Sequence, residues 1–453
     1  MGMTVVRKRL ATRALGARYS LFVGLGGFLA VVGIALFLVT LRGPAADRAW
    51  HLFHVNWVYF TGLTGGSFAF VAVQKVTRAK WSGLIIRFAE AATIPSCLIS
   101  LVGLVLIFTA GYSHIFPAME GLSHGKALWL SHGFMFTRLL VGLGLLYWVG
   151  FRLVQADLVP DMHEVMDAVP AGRRALYQHW TRGFDASPAG RVSHEARIAR
   201  LAPTFVVLYA LVFTLVAFDT VMALQPHWFS NLFGGWYFMG SFLGAHTLLA
   251  LTMLYGRHEV GIADLVSAKQ RHDLGKLVFG FSVFWTYLMW SQFLVIWYGN
   301  LPEETGFVFA GLWGEWRPIG TVVFLGMFVI PFIGLLGVLP KKTPFTLGLV
   351  AAISLAALWL ERYLLVLPSV TKLPGPTFGL PELGPTLAFL GLFLFSYGWF
   401  ARTFPMVSPR LAEITLDRER GHGLPDVTGT FEHEEGDADY VAPAALERRH
   451  HPR

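Results

Sequence analysis

Cysteine is almost missing from this chain: Cys97 is the single one in 453 residues, and it sits inside an apolar run. That excludes an intrachain disulfide, a four-cysteine iron–sulfur site and a Cys-x-x-Cys-His haem attachment, so a redox metal would have to come from histidine ligation or from a partner. Charge is scarce as well. Asp, Glu, Lys and Arg together make up 14% of the residues, against roughly 25% in ordinary soluble domains. What fills the space is apolar: 55% hydrophobic residues, 38 Phe and 15 Trp, with a mean hydropathy of +0.55. The solvent for such a chain is lipid. A formal charge of +8 then reads as orientation by Lys and Arg at one membrane face, not as a surface for nucleic acid.

The runs from Leu21 to Leu41, Leu232 to Leu254 and Leu277 to Tyr298 contain no Asp, Glu, Lys or Arg. Each is long enough, at ~1.5 Å per residue, to cross a ~30 Å hydrocarbon core. Hydropathy predicts about ten transmembrane helices near 21–41, 50–74, 84–110, 127–153, 201–224, 232–254, 277–298, 319–339, 345–367 and 385–404, an all-α polytopic membrane protein. The first run is too long for a signal peptide and no small-residue cleavage site follows it, so it reads as a retained helix. Basic residues fall on alternate loops: Arg7, Lys8, Arg9, Arg13 and Arg18, then Lys75, Arg78 and Lys80, then Arg173, Arg174, Arg182, Arg191, Arg197 and Arg200. The positive-inside rule makes these segments cytoplasmic and predicts a multi-pass inner-membrane protein with both termini inside. The organisation expected is a basic arm over 1–19, a membrane domain over 20–404 with a polar cytoplasmic loop at 154–200, and a polar, acidic, disordered tail over 405–453.

Ionisable residues inside spans are costly, roughly 2.5 to 3.5 kcal/mol each on insertion scales, so those present should face the interior and have partners. Arg87 and Glu90 stand at i and i+3 on one face of the third span, within salt-bridge reach. Asp219 lies near the outer end of the fifth span with no cation nearby in sequence; either another helix supplies one or the carboxylate is suited to proton exchange. His54 in the second span, His246 in the sixth and His227 in the turn after the fifth complete the proton-transfer candidates: Asp219, His246, Glu90, Arg87, His54 and His227. Two half-pathways are expected, one outer and one inner, with His246 between them. Arg138 and the pair Glu361 and Arg362 are expected to serve packing or to extend toward headgroups, and the aromatic clusters Trp50, Trp57 and Tyr59, Trp228, Trp236 and Tyr237, and Trp290, Trp297 and Tyr298 are expected mostly as interface belts. Gly62, Gly65 and Gly66, and Gly234, Gly235, Gly240 and Gly244, signal close helix approach.

Two stretches go beyond hydropathy. Residues 218–238 read Phe-Asp-Thr-Val-Met-Ala-Leu-Gln-Pro-His-Trp-Phe-Ser-Asn-Leu-Phe-Gly-Gly-Trp-Tyr-Phe, and a second stretch runs from His272-Asp273-Leu274-Gly275-Lys276-Leu277 through Trp285-Thr286-Tyr287 and Ser291-Gln292-Phe293 to Trp297-Tyr298-Gly299-Asn300-Leu301-Pro302-Glu303-Glu304-Thr305. Both resemble the second of two related ten-helix membrane subunits of alternative complex III, a bacterial quinol:electron-acceptor (cytochrome c) oxidoreductase. Arg87-Phe88-Ala89-Glu90-Ala91 resembles an element shared with polysulfide-reductase-type membrane anchors. The resemblance implies two four-helix bundles, spans two to five and six to nine, flanked by the first and last helices. It also implies a respiratory-chain role in quinol and proton handling and in assembly, with partners that are a multihaem cytochrome c, an iron–sulfur subunit and a paralogous quinol-binding membrane subunit. Haem c and iron–sulfur clusters are then expected in those partners, with no metal and no prosthetic group in this chain; menaquinol or quinone is the candidate small molecule, although in that family the menaquinol site is attributed to the first of the two paralogues. Without the resemblance, a secondary transporter and a purely structural membrane scaffold remain open.

Overall fold

In the computed structural model, residues 15, 19–117, 121–371 and 375–419 are described. Most of the expected basic arm and the acidic segment 420–453 therefore lie outside the described residues. The described chain is all-α: α1 (Ser20–Thr40), α2 (Ala46–Val76), α3 (Ile86–Ile115), α4 (His132–Glu164), α5 (Pro188–Leu224), α6 (Phe233–Glu259), α7 (Ala268–Gly299), α8 (Gly314–Gly334), α9 (Pro344–Val370) and α10 (Leu380–Thr403). Among the described residues, nine of these are long and apolar enough to cross a membrane. The tenth, α2, is long enough at 31 residues but too polar, and its position explains why. Nearly every residue from Ala49 to Ala72 is buried, because α3, α5, α6, α9 and α10 all pack against it. A helix that meets protein on every side needs no lipid-compatible face.

Helices α2 to α5 form one four-helix bundle and α6 to α9 a second, joined where α2 crosses α6 and α9. Glycine permits the crossing: a Cβ on Gly66 would lie 2.4 Å from the Ser241 carbonyl oxygen, and one on Gly62 2.7 Å from the Ser241 hydroxyl. The first and last helices run antiparallel beside each other along their whole length. Here Gly26, Ala30 and Gly33 of α1 meet Gly384, Ala388 and Gly391 of α10 so closely that a Cβ on Gly33 would fall 2.1 Å from the Ala388 nitrogen. Without a hydrophobic force between helices in lipid, this close backbone packing is what holds α1. Few residues of α1 are otherwise buried.

Local breaks follow from proline. Pro95 cannot bond back along the helix and its ring crowds the carbonyl four residues earlier, and α3 is interrupted at Ala91–Thr93, between Ile86–Glu90 and Ile94–Leu106. Pro331 likewise follows a π-helical turn, Leu325–Val329, in α8. The expected polar loop at 154–200 is mostly helix. The fourth span continues to Glu164, the fifth begins at Pro188, and Ala171–Thr181 forms a short helix between them. After α10, the helix Pro409–Glu419 docks on the chain between α2 and α3, where the Thr415 hydroxyl donates to the Lys80 carbonyl (2.7 Å) and accepts from the Gly83 N–H (3.2 Å).

The aromatic residues divide. Trp290, Trp297 and Tyr298 are exposed on the outside of α7, as a belt requires, whereas Trp50, Trp57, Tyr59, Trp228, Trp236 and Tyr237 are buried. Several of the buried ones bond backbone carbonyls across helices: Trp57 Nε1 to Ser100 (2.7 Å), Tyr59 to Leu355 (3.0 Å) and Tyr237 to Val58 (3.0 Å). Span-end position alone cannot separate these roles, because a tryptophan or tyrosine with a carbonyl to reach is equally at home inside.

Candidate functional site: a polar column in the first bundle

Several charged side chains of the bundle of α2 to α5 are buried inside it: Arg87, Glu90, Asp157, Asp161 and Asp219. At the end where α2 and α4 finish, the end carrying the basic loops, Arg87 is fully buried among three carboxylates. Its guanidinium bonds Glu90 and Asp161, lies 3.3 Å from Asp157 Oδ2, and donates to the Asp157 carbonyl at 2.8 Å. Lys75 Nζ reaches Asp157 Oδ1 at 2.6 Å. Arg410, from the helix after α10, reaches the same oxygen at 3.8 Å and Glu195 at 3.1 Å. The expected Arg87 and Glu90 pair is present, but it is one edge of a larger network.

The charge arithmetic of that network is informative. Lys75 and Arg410 serve Asp157, so Glu90 and Asp161 both depend on Arg87. Among the described residues Glu90 Oε1, Asp157 Oδ2 and Asp161 Oδ1 accept no hydrogen bond, and Glu90 and Asp157 meet on one nitrogen of Arg87, whose Nη1 pairs with Glu90 Oε2 and lies 3.3 Å from Asp157 Oδ2. Counting Glu195, four carboxylates face three cations, Arg87, Lys75 and Arg410, so one proton held among the carboxylates would balance the local charge.

Above Glu90, hydroxyls continue the column. Thr93 bonds the Glu90 carbonyl (2.5 Å), the buried Ser96 hydroxyl has no partner, and Ser100 Oγ bonds Thr61 Oγ1 (2.7 Å) and accepts from Tyr147 (2.9 Å). A cavity of about 10 Å³ lies among Thr61, Thr64, Ser96 and Ser100. It has room for a single water and the polar partners to hold one, but not for a quinone ring. Trp57, held on the Ser100 carbonyl, stacks with His54 at 6.0 Å. Beyond it, His54 Nε2–H donates to the Thr220 carbonyl at 2.6 Å, which leaves Nδ1 buried without a partner.

Thr220 adjoins Asp219, and here the first of the two alternatives for that carboxylate holds: another helix supplies a cation. Arg138 of α4 grips Asp219 with two bonds, Nε to Oδ2 at 2.6 Å and Nη2 to Oδ1 at 2.5 Å, and its guanidinium lies over Trp129 at 4.0 Å. Arg138 therefore neither snorkels nor merely packs; the two residues are 81 positions apart, so no sequence window could pair them.

Two other candidates stand outside the column. His246 is enclosed by the rings of Phe70, Phe242 and Phe281 and bonds the Phe242 carbonyl of its own helix at 2.8 Å, so it does not link two half-pathways. His227 is exposed in the turn between α5 and α6. In the second bundle Glu361 and Arg362 are fully buried and do not extend toward headgroups, with Arg362 donating to the Tyr237 carbonyl (3.1 Å) and the Ser241 hydroxyl (3.2 Å) and pairing with Glu361 at 2.9 Å. Asp157 and Asp161 were missed because hydropathy ended the fourth span at 153; their i, i+4 spacing, one helical face, was the available signal.

The two stretches that carry the family resemblance meet at the opposite end. Ser230 bonds Gln292 (3.2 Å), Trp236 lies against Trp285 at 5.7 Å, and Trp228 stacks on Phe307, two residues past the second stretch, with centroids 3.9 Å apart. Among the described residues no group of three or more His, Cys, Asp or Glu has a metal-binding arrangement. Compared with protein-family models and with curated proteins, the chain matches none.

Proposed function

We propose that this chain is a proton-handling membrane subunit of a bacterial respiratory complex that oxidises quinol and passes electrons to a cytochrome c, the alternative complex III type. The choice of complex is supported by the two motif stretches. The proton role is supported by one observation above the rest: Glu90 and Asp157 are buried together on one nitrogen of Arg87, in a network where four carboxylates, counting Asp161 and Glu195, face three cations, at the foot of a ladder of hydroxyls.

In this reading a proton enters from the basic end past Glu195 and Arg410, where the network is open to solvent. It is shared between Asp157 and Glu90, while Arg87 keeps whichever carboxylate is charged from standing alone. Thr93, Ser96, the single-water cavity, Ser100 and Tyr147 carry it along α3 toward His54. Electrons travel through partner subunits carrying haem c and iron–sulfur clusters, and this chain contributes proton movement and a platform for assembly.

The test uses the native assembly. Purification through a tag on this chain should bring a multihaem cytochrome and an iron–sulfur protein with it, and Glu90→Gln should leave assembly intact while lowering proton-coupled turnover about tenfold or more. A Glu90→Gln assembly that oxidises quinol and moves protons like the wild type removes the proton role. The interruption of α3 immediately after Glu90 favours one rival, a secondary transporter with a broken helix at its site; purification as a homo-oligomer without redox partners would select it.

A further inference from the structure

We propose that the groove between the ends of α4 and α5 and the helix Ala171–Thr181 binds the phosphate of an anionic phospholipid. It is a cavity of about 250 Å³ at the basic end, lined by Arg152, His179, Trp180, Arg182, His194 and Arg197 with no acidic side chain among its walls. At this end Lys75 and Arg410 hold carboxylates, and Arg173 donates to the Arg402 carbonyl. Among the described residues Arg152, Arg182 and Arg197 make no ion pair. Three guanidiniums brought to one concavity repel one another until an anion sits between them, and their planar forks match phosphate oxygens.

The surroundings identify the anion as a lipid headgroup. Arg152 tops a stripe of α4 made by Val141, Leu145 and Trp148, spaced to lie on one face, and all three are exposed, by 63, 45 and 58%. On α5, nearly three turns from Arg197, Val207 and Leu211 are each 60% exposed. The two helices pack side by side, so two lipid-facing apolar tracks descend from one basic pocket. A headgroup phosphate held by the arginines would lay its acyl chains along these tracks, and Trp180 stands at headgroup level as interfacial tryptophans do.

Native mass spectrometry of the full chain in detergent micelles tests this with phosphatidylglycerol, phosphatidylcholine and inorganic phosphate as probes. A retained phosphatidylglycerol adduct is expected, absent with phosphatidylcholine. Arg152→Gln and Arg197→Gln should each weaken it about fivefold, while Arg78→Gln, at the same end but outside the groove, should not. Because the two arginines are half-buried, exposed Arg182→Gln serves as the variant that leaves packing untouched, and it too should weaken retention. Equal retention of phosphatidylglycerol and phosphatidylcholine, or undiminished retention in Arg182→Gln and Arg152→Gln, overturns the proposal. Inorganic phosphate displacing phosphatidylglycerol at equal concentration overturns it in favour of a soluble anion.

Discussion

At the residue scale, the first bundle contains two kinds of buried charge that behave differently. Asp219 has a bidentate cation of its own, and its charged form is fully satisfied by Arg138. Glu90 and Asp161 share one cation and keep unpaired oxygens. The first arrangement anchors; the second divides one guanidinium between two carboxylates. Asp219→Asn is therefore expected to cost stability, about 3 kcal/mol, because it strands a guanidinium whose side chain is only 10% exposed. Unfolding of the purified variant in detergent measures this. The double variant with Arg138→Gln should lose less than the two single losses added together, since a stranded charge is absent when both partners go. Full additivity would show that the pair contributes nothing as a pair.

At the element scale, α1 is attached almost entirely through the small residues it shares with α10. Gly33→Leu should force the two backbones apart and lower the unfolding temperature, whereas Gly24→Leu, with nothing within 4 Å of its Cβ position, should leave it unchanged. Comparing the two in one melting experiment separates a packing effect from a general effect of added bulk. The same helices show what could be read without coordinates. Ten long helices and the Arg87 and Glu90 pair were legible because span length and i, i+3 spacing are local properties. The end of α4 was not, because Asp157 and Asp161 lower the hydropathy of residues that are helical and buried. Nor was the Arg138 and Asp219 pair, which joins different helices, nor the burial of Glu361 and Arg362, whose inward direction depends on how α9 is turned within its bundle. Sequence shows which residues are expensive in lipid; only packing shows which other helix compensates them.

For the whole molecule, the antiparallel run of α1 and α10 puts the start of the first helix and the end of the last on the same side, where Tyr19 lies 5.9 Å from Tyr397. Basic residues crowd that side, so it is expected to face the cytoplasm. An alkaline phosphatase domain fused after residue 419 should be inactive and a fluorescent protein fused there bright; the reverse pattern would invert the molecule, and with it the direction proposed for proton entry. The α1 and α10 clasp also sets a timetable. The ribosome delivers α1 first and α10 last, and synthesis of everything between takes on the order of 20 to 70 s at ~5–20 residues per second. Throughout that interval the glycine face of α1 has no protein partner, and the nascent chain has inserted its first helix without closing its fold. A message cut short before α10 would yield a chain with both bundles but a first helix lacking its main partner, its glycine face left open to membrane proteolysis.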